Sequence, residues 1–255
     1  MNGYDVIVAG VGGMGSAAVA ELADRAARVL GLERSSIPND TGSSHGINRI
    51  IRLAYAEDPR YVPLLRRAYE RWRTLGERLD ETILVTTGGI EIGRPDCETV
   101  VGTLASAREH DLEHEVLEGA EIHARFPGFV VPDEMVGVYQ PDAGFVLSEH
   151  AIAGQAALAL AAGAEIHGHE PVTAWEVRDG GVVVRTAVAE YRARRLIISA
   201  GAWVGKLVEV LAPVAIPERR GLRGAGPRPP PRFKPQALPI INHDGEEGGK
   251  QGVPG

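Results

Sequence analysis

The sequence predicts a mixed α/β fold in which a parallel-stranded core is joined to an antiparallel-sheet cap. Three observations predict it. The chain opens on a strand–helix–strand pattern, "YDVIVAG" running through an alanine-rich segment into "ARVLGLE". Residues Tyr61 to Leu79 form an amphipathic helical pattern. The stretch "VTAWEVRDGGVVVRTAVAEYRARRLIISAGAW" reads as an antiparallel meander. Parallel and antiparallel signals in one chain argue against a plain doubly wound sheet.

Each element follows from its pattern. "YDVIVAG" is short, apolar and β-branched, as a strand buried on both faces must be. Met14 to Ala27 is rich in alanine and reads as the crossover helix. In the helix from Tyr61, the residues Val62, Leu65, Tyr69, Trp72, Gly76 and Leu79 step by three or four. Arg66, Arg67, Glu70, Arg71, Arg73 and Glu77 fill the opposite face. "ILVTTGGIEIG" predicts two strands broken at Gly88-Gly89, Glu98 to Glu109 a helix, and "MVGVYQPDAGFVL" a return to strand. Glu149 to Ala162 reads as helix, and Asp179-Gly180-Gly181 as the turn of a hairpin. Beyond Pro213 the period is lost. Nine of the seventeen prolines lie in residues 212–255, and "GLRGAGPRPPPRF" suits neither helix nor sheet, so a largely irregular tail is expected.

At 255 residues there is length for one large domain or two modest ones. A formal charge of −7, with no long basic run, argues against nucleic acid as a partner. The single cysteine, Cys97, leaves no internal disulfide and no cysteine-based metal cluster, which suits a reducing compartment. Val6 to Ala20 carries no charge, but the flank "MNGYD" has an acid where a secretory signal needs a base. A cytoplasmic protein that does not enter a membrane is the expectation.

The stretch carrying chemistry is Gly10-Val11-Gly12-Gly13-Met14-Gly15, which fits G-x-G-x-x-G after a strand and at the opening of a helix. Gly10 suits a tight turn, Gly12 a close approach of backbone to phosphates, and Gly15 close packing of helix on strand. Free N–H groups at the helix start then face an anion. Glu33, eighteen residues beyond Gly15 at the end of the second strand, is placed to accept from ribose hydroxyls. The bland alternative is a tight turn and nothing more; strand, helix and acid together argue for an adenine dinucleotide, NAD or FAD. "DTGSSHGINRIIRLAY", Asp40 to Tyr55, reads as a polar loop turning into a helix, with Arg49 and Arg52 on one face. One guanidinium would stabilise the negative charge of a reduced flavin, and the other could hold a carboxylate bidentately. A solvated basic face is the alternative.

"VAGVGGMGSAAVAELA…VLGLER", "TGSSHGINRIIRLAYAEDPRYVPL", "GVYQPDAGFVL" and "LIISAGAW" together resemble the monomeric sarcosine oxidase family, which includes N-methyltryptophan oxidase. The resemblance runs from the N-terminus to about residue 215. It implies a Rossmann-like FAD-binding domain from residues 1–82 and 145–215, part of a catalytic cap from 83–144, and an aberrant tail from 216–255, in a p-hydroxybenzoate hydroxylase-like architecture. It implies oxidation of the C–N bond of a secondary amino acid, with O₂ reduced to hydrogen peroxide. Carried over by position, Gly10, Gly12, Gly13, Met14, Gly15, Glu33 and Arg34 would hold the ADP half of FAD. Ser43, Ser44, His45 and Arg49 would lie against the riboflavin half. Arg52 would face the substrate carboxylate, with Glu57 able to pair with it or approach the amine. Val172 would line the adenine pocket from its strand, and Ala200, Gly201 and Trp203 would pass under the cofactor. His45, Arg49, Arg52 and Glu57 are thus the expected catalytic set.

The family continues beyond this chain, with further lysines and a flavin-linking cysteine in the missing part. Cys97 does not match the attachment position, so the resemblance implies non-covalent FAD. "PERRGLRGAGPRPPPRF" stands where the family has an apolar, aromatic strand, and "ALPIINHDGEEGGKQGVPG" regains a faint likeness before the chain stops. An interrupted or truncated reading frame is the expectation. Two rival readings stay open, an FAD-binding chain without turnover and a nicotinamide-dependent dehydrogenase. The sequence does not choose among sarcosine, N-methyltryptophan, pipecolate and glycine as substrate, nor fix an oligomeric state. "HDLEH", His110 to His114, and the pair His167 and His169, which on a strand would face one side, offer too few ligands for a metal, and none is expected.

Overall fold

The computed structural model describes residues 3–218, 239–243 and 250–252. In chain order, β1 (Tyr4–Ala9), α1 (Gly13–Asp24), β2 (Val29–Leu32), β3 (Arg49–Ile51) and α2 (Val62–Leu79) come first. Next are β4 (Leu84–Thr86), β5 (Gly89–Gly93), α3 (Glu98–Glu109), β6 (Glu115–Glu118) and α4 (Gly119–Arg125). β7 (Val136–Gln140), β8 (Gly144–Val146), α5 (Ser148–Ala161) and β9 (Glu165–His167) lead into β10 (Ala174–Arg178), β11 (Gly181–Arg185) and β12 (Glu190–Ile198). α6 (Val204–Leu207), β13 (Ile240–His243) and β14 (Lys250–Gly252) complete the described elements. The chain divides into two compact units. One is drawn from Met1–Ile47 and Ser148–Leu222, the other from Asn48–Leu147 and Arg223–Gly255.

The first unit is built on a six-stranded sheet in the order β10-β11-β12-β1-β2-β9. β1 lies parallel to both β2 and β12, and β9 parallel to β2. The alternating side chains of β1 therefore meet a layer on each face. Val6 and Val8 pack with Val19, Ala20 and Ala23 of α1 and Ala159 of α5. Ile7 packs on the other face with Leu30, Leu32, Val184 and Ala193. Complete burial of Ile7, Leu30 and Leu32 stabilises the sheet by about 1.5–3 kcal/mol each. The small residues predicted for the crossover helix let α1 pack against α5, where Ser16 Oγ donates to Gln155 Oε1 at 2.7 Å. The meander is present as β10, β11 and β12, antiparallel to one another. Asp179 and Gly180, at φ +53° and +74°, form the two-residue mirror-image turn that matches strand twist.

The second unit holds a five-stranded sheet, β14-β13-β5-β7-β6, and a three-stranded sheet, β3-β8-β4. Ile90, Ile92, Leu117, Ile122 and Phe126 form its core. α2 buries Val62, Tyr69 and Leu75 and ends at Asp80 in the left-handed region, φ +53°. Cys97 is the N-cap of α3, its Sγ accepting from the Val100 N–H at 3.5 Å.

Four local expectations are corrected. Arg49 and Arg52 do not share a helical face, because Arg49–Ile51 is a strand paired antiparallel with β8. Its β-branched pair Ile50-Ile51 prefers the pleat to a helix. The tail is not irregular throughout: β13 pairs parallel with β5 and antiparallel with β14. All of "GLRGAGPRPPPRF", with its surroundings in residues 219–238, lies outside the described residues. Val172 lies just before β10, in no strand. His167 and His169 do not project together from one strand, since β9 ends at His167 and His169 turns to φ +58°. The two compact units meet in sequence at residues 47/48 and 147/148. No helix of the described residues is long and apolar enough to cross a membrane, and these residues hold no group of three or more His, Cys, Asp or Glu able to bind a metal ion.

Candidate functional site: a dinucleotide cleft and a buried arginine

Between β1 and α1 the chain must reverse in a few residues. Gly10 does so at φ +99°, where an added Cβ would meet Ser199 O at 2.5 Å. At Gly15 a Cβ would collide with Gly10 O, so only glycine lets the first turn of α1 come so close to the strand. Gly12, the N-cap residue, carries no side chain to satisfy the first N–H groups of α1. A Cβ placed on Gly12 would meet nothing within 4 Å. The helix therefore opens with free donors on clear space, the arrangement that takes a phosphate.

Glu33 follows the last residue of β2 and is buried. Its Oε2 accepts from the Val11 N–H at 2.8 Å and its Oε1 from the Ser35 N–H at 3.0 Å. The acid thus clamps the glycine turn to the end of the neighbouring strand. Each of its oxygens keeps a further lone pair for a donor.

These elements border a cavity of about 440 Å³ lying wholly within the first unit. Of the residues predicted from sequence, Gly10, Gly12, Gly13, Met14, Glu33, Arg34, Ser43, Ser44, His45, Val172, Ala200, Gly201 and Trp203 all line it. Gly15 is buried behind the turn. Arg34 lies over the Trp203 ring, 4.3 Å from its centroid, a cation–π contact that fixes both side chains at the rim. His45 Nδ1 lies 2.9 Å from Glu149 Oε1, which also accepts from the Gly46 N–H at 2.9 Å. Ser199, Lys206 and Pro171 also line the cavity and were not anticipated. Lys206 follows "GAW" on α6, and a cation one helical turn beyond Trp203 was the available signal.

Arg49, Arg52 and Glu57 belong to the second unit. Arg49 Nη1 donates to Asn48 O at 2.6 Å. Arg52 is buried, with its guanidinium 4.9 Å from the centroid of the Tyr55 ring. Its Nη2 reaches Glu57 Oε2 only at 4.0 Å, so the expected pairing is present but long. The closer acid is Glu91, whose Oε1 lies 2.9 Å from Arg52 Nε. Sequence reasoning missed Glu91; an acid alone between Ile90 and Ile92 in a buried strand was the signal.

Residues 5–246 match the family of FAD dependent oxidoreductases, DAO. The chain belongs to this family. As a DAO-family chain it is 43% identical over 251 residues to monomeric sarcosine oxidase of Streptomyces avermitilis, covering 96% of this chain and 64% of that protein. It is 39% identical over 208 residues to N-methyl-L-tryptophan oxidase of Citrobacter koseri, covering 82% of this chain and 56% of that protein. The fold is similar to that of NikD, described as an unusual amino acid oxidase essential for nikkomycin biosynthesis. The match has a TM-score of 0.76 and 30% identity, and covers 83% of this chain and 55% of NikD. The DAO-family chain thus spans somewhat more than half the length of the relatives it matches.

The residues present fit FAD. The uncapped start of α1, the open face of Gly12 and the strand-end acid Glu33 supply donors for a pyrophosphate and an acceptor for a ribose, all on one cavity.

Proposed function

We propose that this chain is the cofactor-holding and carboxylate-anchoring part of an FAD-dependent amine oxidase. Its substrate would be a secondary amino acid of the sarcosine or N-methyl type. The reaction would oxidise the C–N bond with O₂ to an imine, hydrolysed to aldehyde and amine, with release of H₂O₂. The observation that carries the reading is the Glu33 clamp on the glycine turn beside an uncapped helix start. The names of the relatives support the substrate class.

When bound, FAD supplies the two-electron acceptor of this chemistry. The chain's own residues do the rest. The N–H groups at the start of α1 hold the pyrophosphate, and Glu33 accepts from a ribose hydroxyl. Arg34, Val172, Ala200, Gly201 and Trp203 bound the space of the ADP half, while Ser43, Ser44 and His45 meet the riboflavin half. Arg52 holds the substrate carboxylate and so orients the amine-bearing carbon. Arg49 would supply positive charge favouring a reduced flavin, and Glu57 would approach the amine.

On this reading the first unit is the FAD-binding domain and the second belongs to the catalytic cap. Cytoplasmic location completes it; Cys97 caps a helix and is not the residue expected to link a flavin.

The test is to purify the chain, incubate it with FAD, remove excess and record the visible spectrum before and after anaerobic addition of sarcosine. A retained flavin spectrum that bleaches supports the proposal. A retained spectrum that does not bleach supports an FAD-holding chain without turnover. A colourless product overturns the reading.

A further inference from the structure

β5 carries a single acid, Glu91, and every residue of the strand is buried. Glu91 is 3% exposed. A carboxylate so placed costs several kcal/mol unless it is paired and hydrogen-bonded. Arg52 and Asn242 are among the groups that answer it. Arg52 Nε lies 2.9 Å from Oε1, placed for charge attraction more than for a linear hydrogen bond. Asn242 of β13 donates through Nδ2 to Oε2 at 2.6 Å. Arg52 is itself 8% exposed, with Tyr55 under its guanidinium. Glu57 differs: its side chain is 58% exposed and it stands 4.0 Å off.

A guanidinium can grip a carboxylate along two edges, one formed by the two Nη groups and one by Nε with an Nη. With Glu91 on Nε, the second edge is taken by a buried residue that cannot leave at low cost. On the end-on edge Nη2 has Glu57 at the long distance of 4.0 Å.

We propose that Glu91 is the positioning and specificity-determining residue of the Arg52 anchor. As a resident counter-ion it confines an incoming carboxylate to the Nη edge of Arg52 and repels a second carboxylate on the same ligand. The site therefore takes amino acids with one carboxylate and rejects dicarboxylic ones. This rests on the reading of Arg52 as the carboxylate anchor.

The test titrates the purified 255-residue chain with acetate and with succinate, following binding by ligand-observed NMR. The wild-type chain should bind succinate no more tightly than acetate, despite succinate's second charge. Glu91→Gln keeps an oxygen for Asn242 and removes the charge. It should raise succinate affinity relative to acetate by about tenfold, or about 1.4 kcal/mol of lost repulsion. Glu91→Asp should return the ratio toward the wild-type value. A ratio of two affinities does not move when a variant is only less stable. A wild-type preference for succinate, or an unchanged ratio in E91Q, overturns the proposal; the first needs no variant to fold. The double variant R52Q/E91Q separates the two readings. Undiminished acetate binding there means that Arg52 is not the anchor, and it is then the functional reading that fails.

Discussion

Glu33 Oε2 accepts the backbone N–H of Val11 at 2.8 Å, joining the end of the second parallel strand to the middle of the glycine turn. This bond precedes any ligand, so the acid has a structural duty besides the binding role proposed for it. Glu33→Gln should destabilise the fold by about 1.5–3 kcal/mol, the range for hydrogen bonds to a charged acceptor, and lower FAD content. Thermal melting with and without added FAD checks both. An unaltered melting temperature would mean the clamp contributes nothing.

The two glycines flanking the turn should fail differently. Gly15→Ala drives a methyl into Gly10 O and to within 2.7 Å of Ser199 Oγ. That overpacking should cost about 1–3 kcal/mol. Gly12→Ala meets nothing within 4 Å and should leave the melting temperature near that of the wild type while weakening FAD. Comparing melting and FAD affinity for the pair distinguishes the roles.

Arg52 and Glu91 form a buried pair, and removing one partner strands the other. Arg52→Ala should destabilise the chain by about 3–5 kcal/mol, and adding Glu91→Gln should recover most of that loss. A denaturant series on the two single variants and the double variant measures the coupling. An additive double variant would show that the two charges do not depend on each other.

Three of the six tyrosines should ionise late. Burial, then the bond to Glu165, pushes Tyr4 up to about 12. Burial, then the bond to the Glu170 carboxylate, does the same for Tyr191, also to about 12. Burial above all raises Tyr69 further. Each folded value lies above the unfolded one near 10, so the unfolded chain loses these protons first. The stabilisation is full below pH about 10 and is lost as pH rises through about 12. Tyr191→Phe should flatten this alkaline loss. At Glu170 burial acts to raise the carboxyl, but bonds from Thr186, Tyr191 and His167 hold it low. Phenolate absorbance against pH, beside a stability–pH curve, provides the check; simultaneous ionisation of all tyrosines at their ordinary value would contradict it.

The sequence made the first unit readable because its signals are local. Gly10, Gly12, Gly15 and Glu33 lie within one βαβ unit, and the spacing carries the geometry. α3 was equally plain, its predicted span of Glu98 to Glu109 matching the helix end to end. What escaped depends on partners distant in sequence. A spacing of three between Arg49 and Arg52 is helical only if the intervening Ile50 and Ile51 do not pair with β8, and they do. Glu91 shows no purpose until Arg52 and Asn242 are brought to it by two other segments. β13 was read as tail because its neighbour β5 lies far upstream. Long-range pairing leaves no periodic mark in the strands it joins.

The parallel pairing of β1 with β12 ties residue 9 to residue 198. At ribosomal speeds of about 5–20 residues per second, the first strand waits roughly ten to forty seconds for that neighbour. Until then its nascent flank is a bare row of amides and carbonyls. The nucleotide cleft is therefore encoded first and completed late, and its first strand keeps one open edge through most of synthesis.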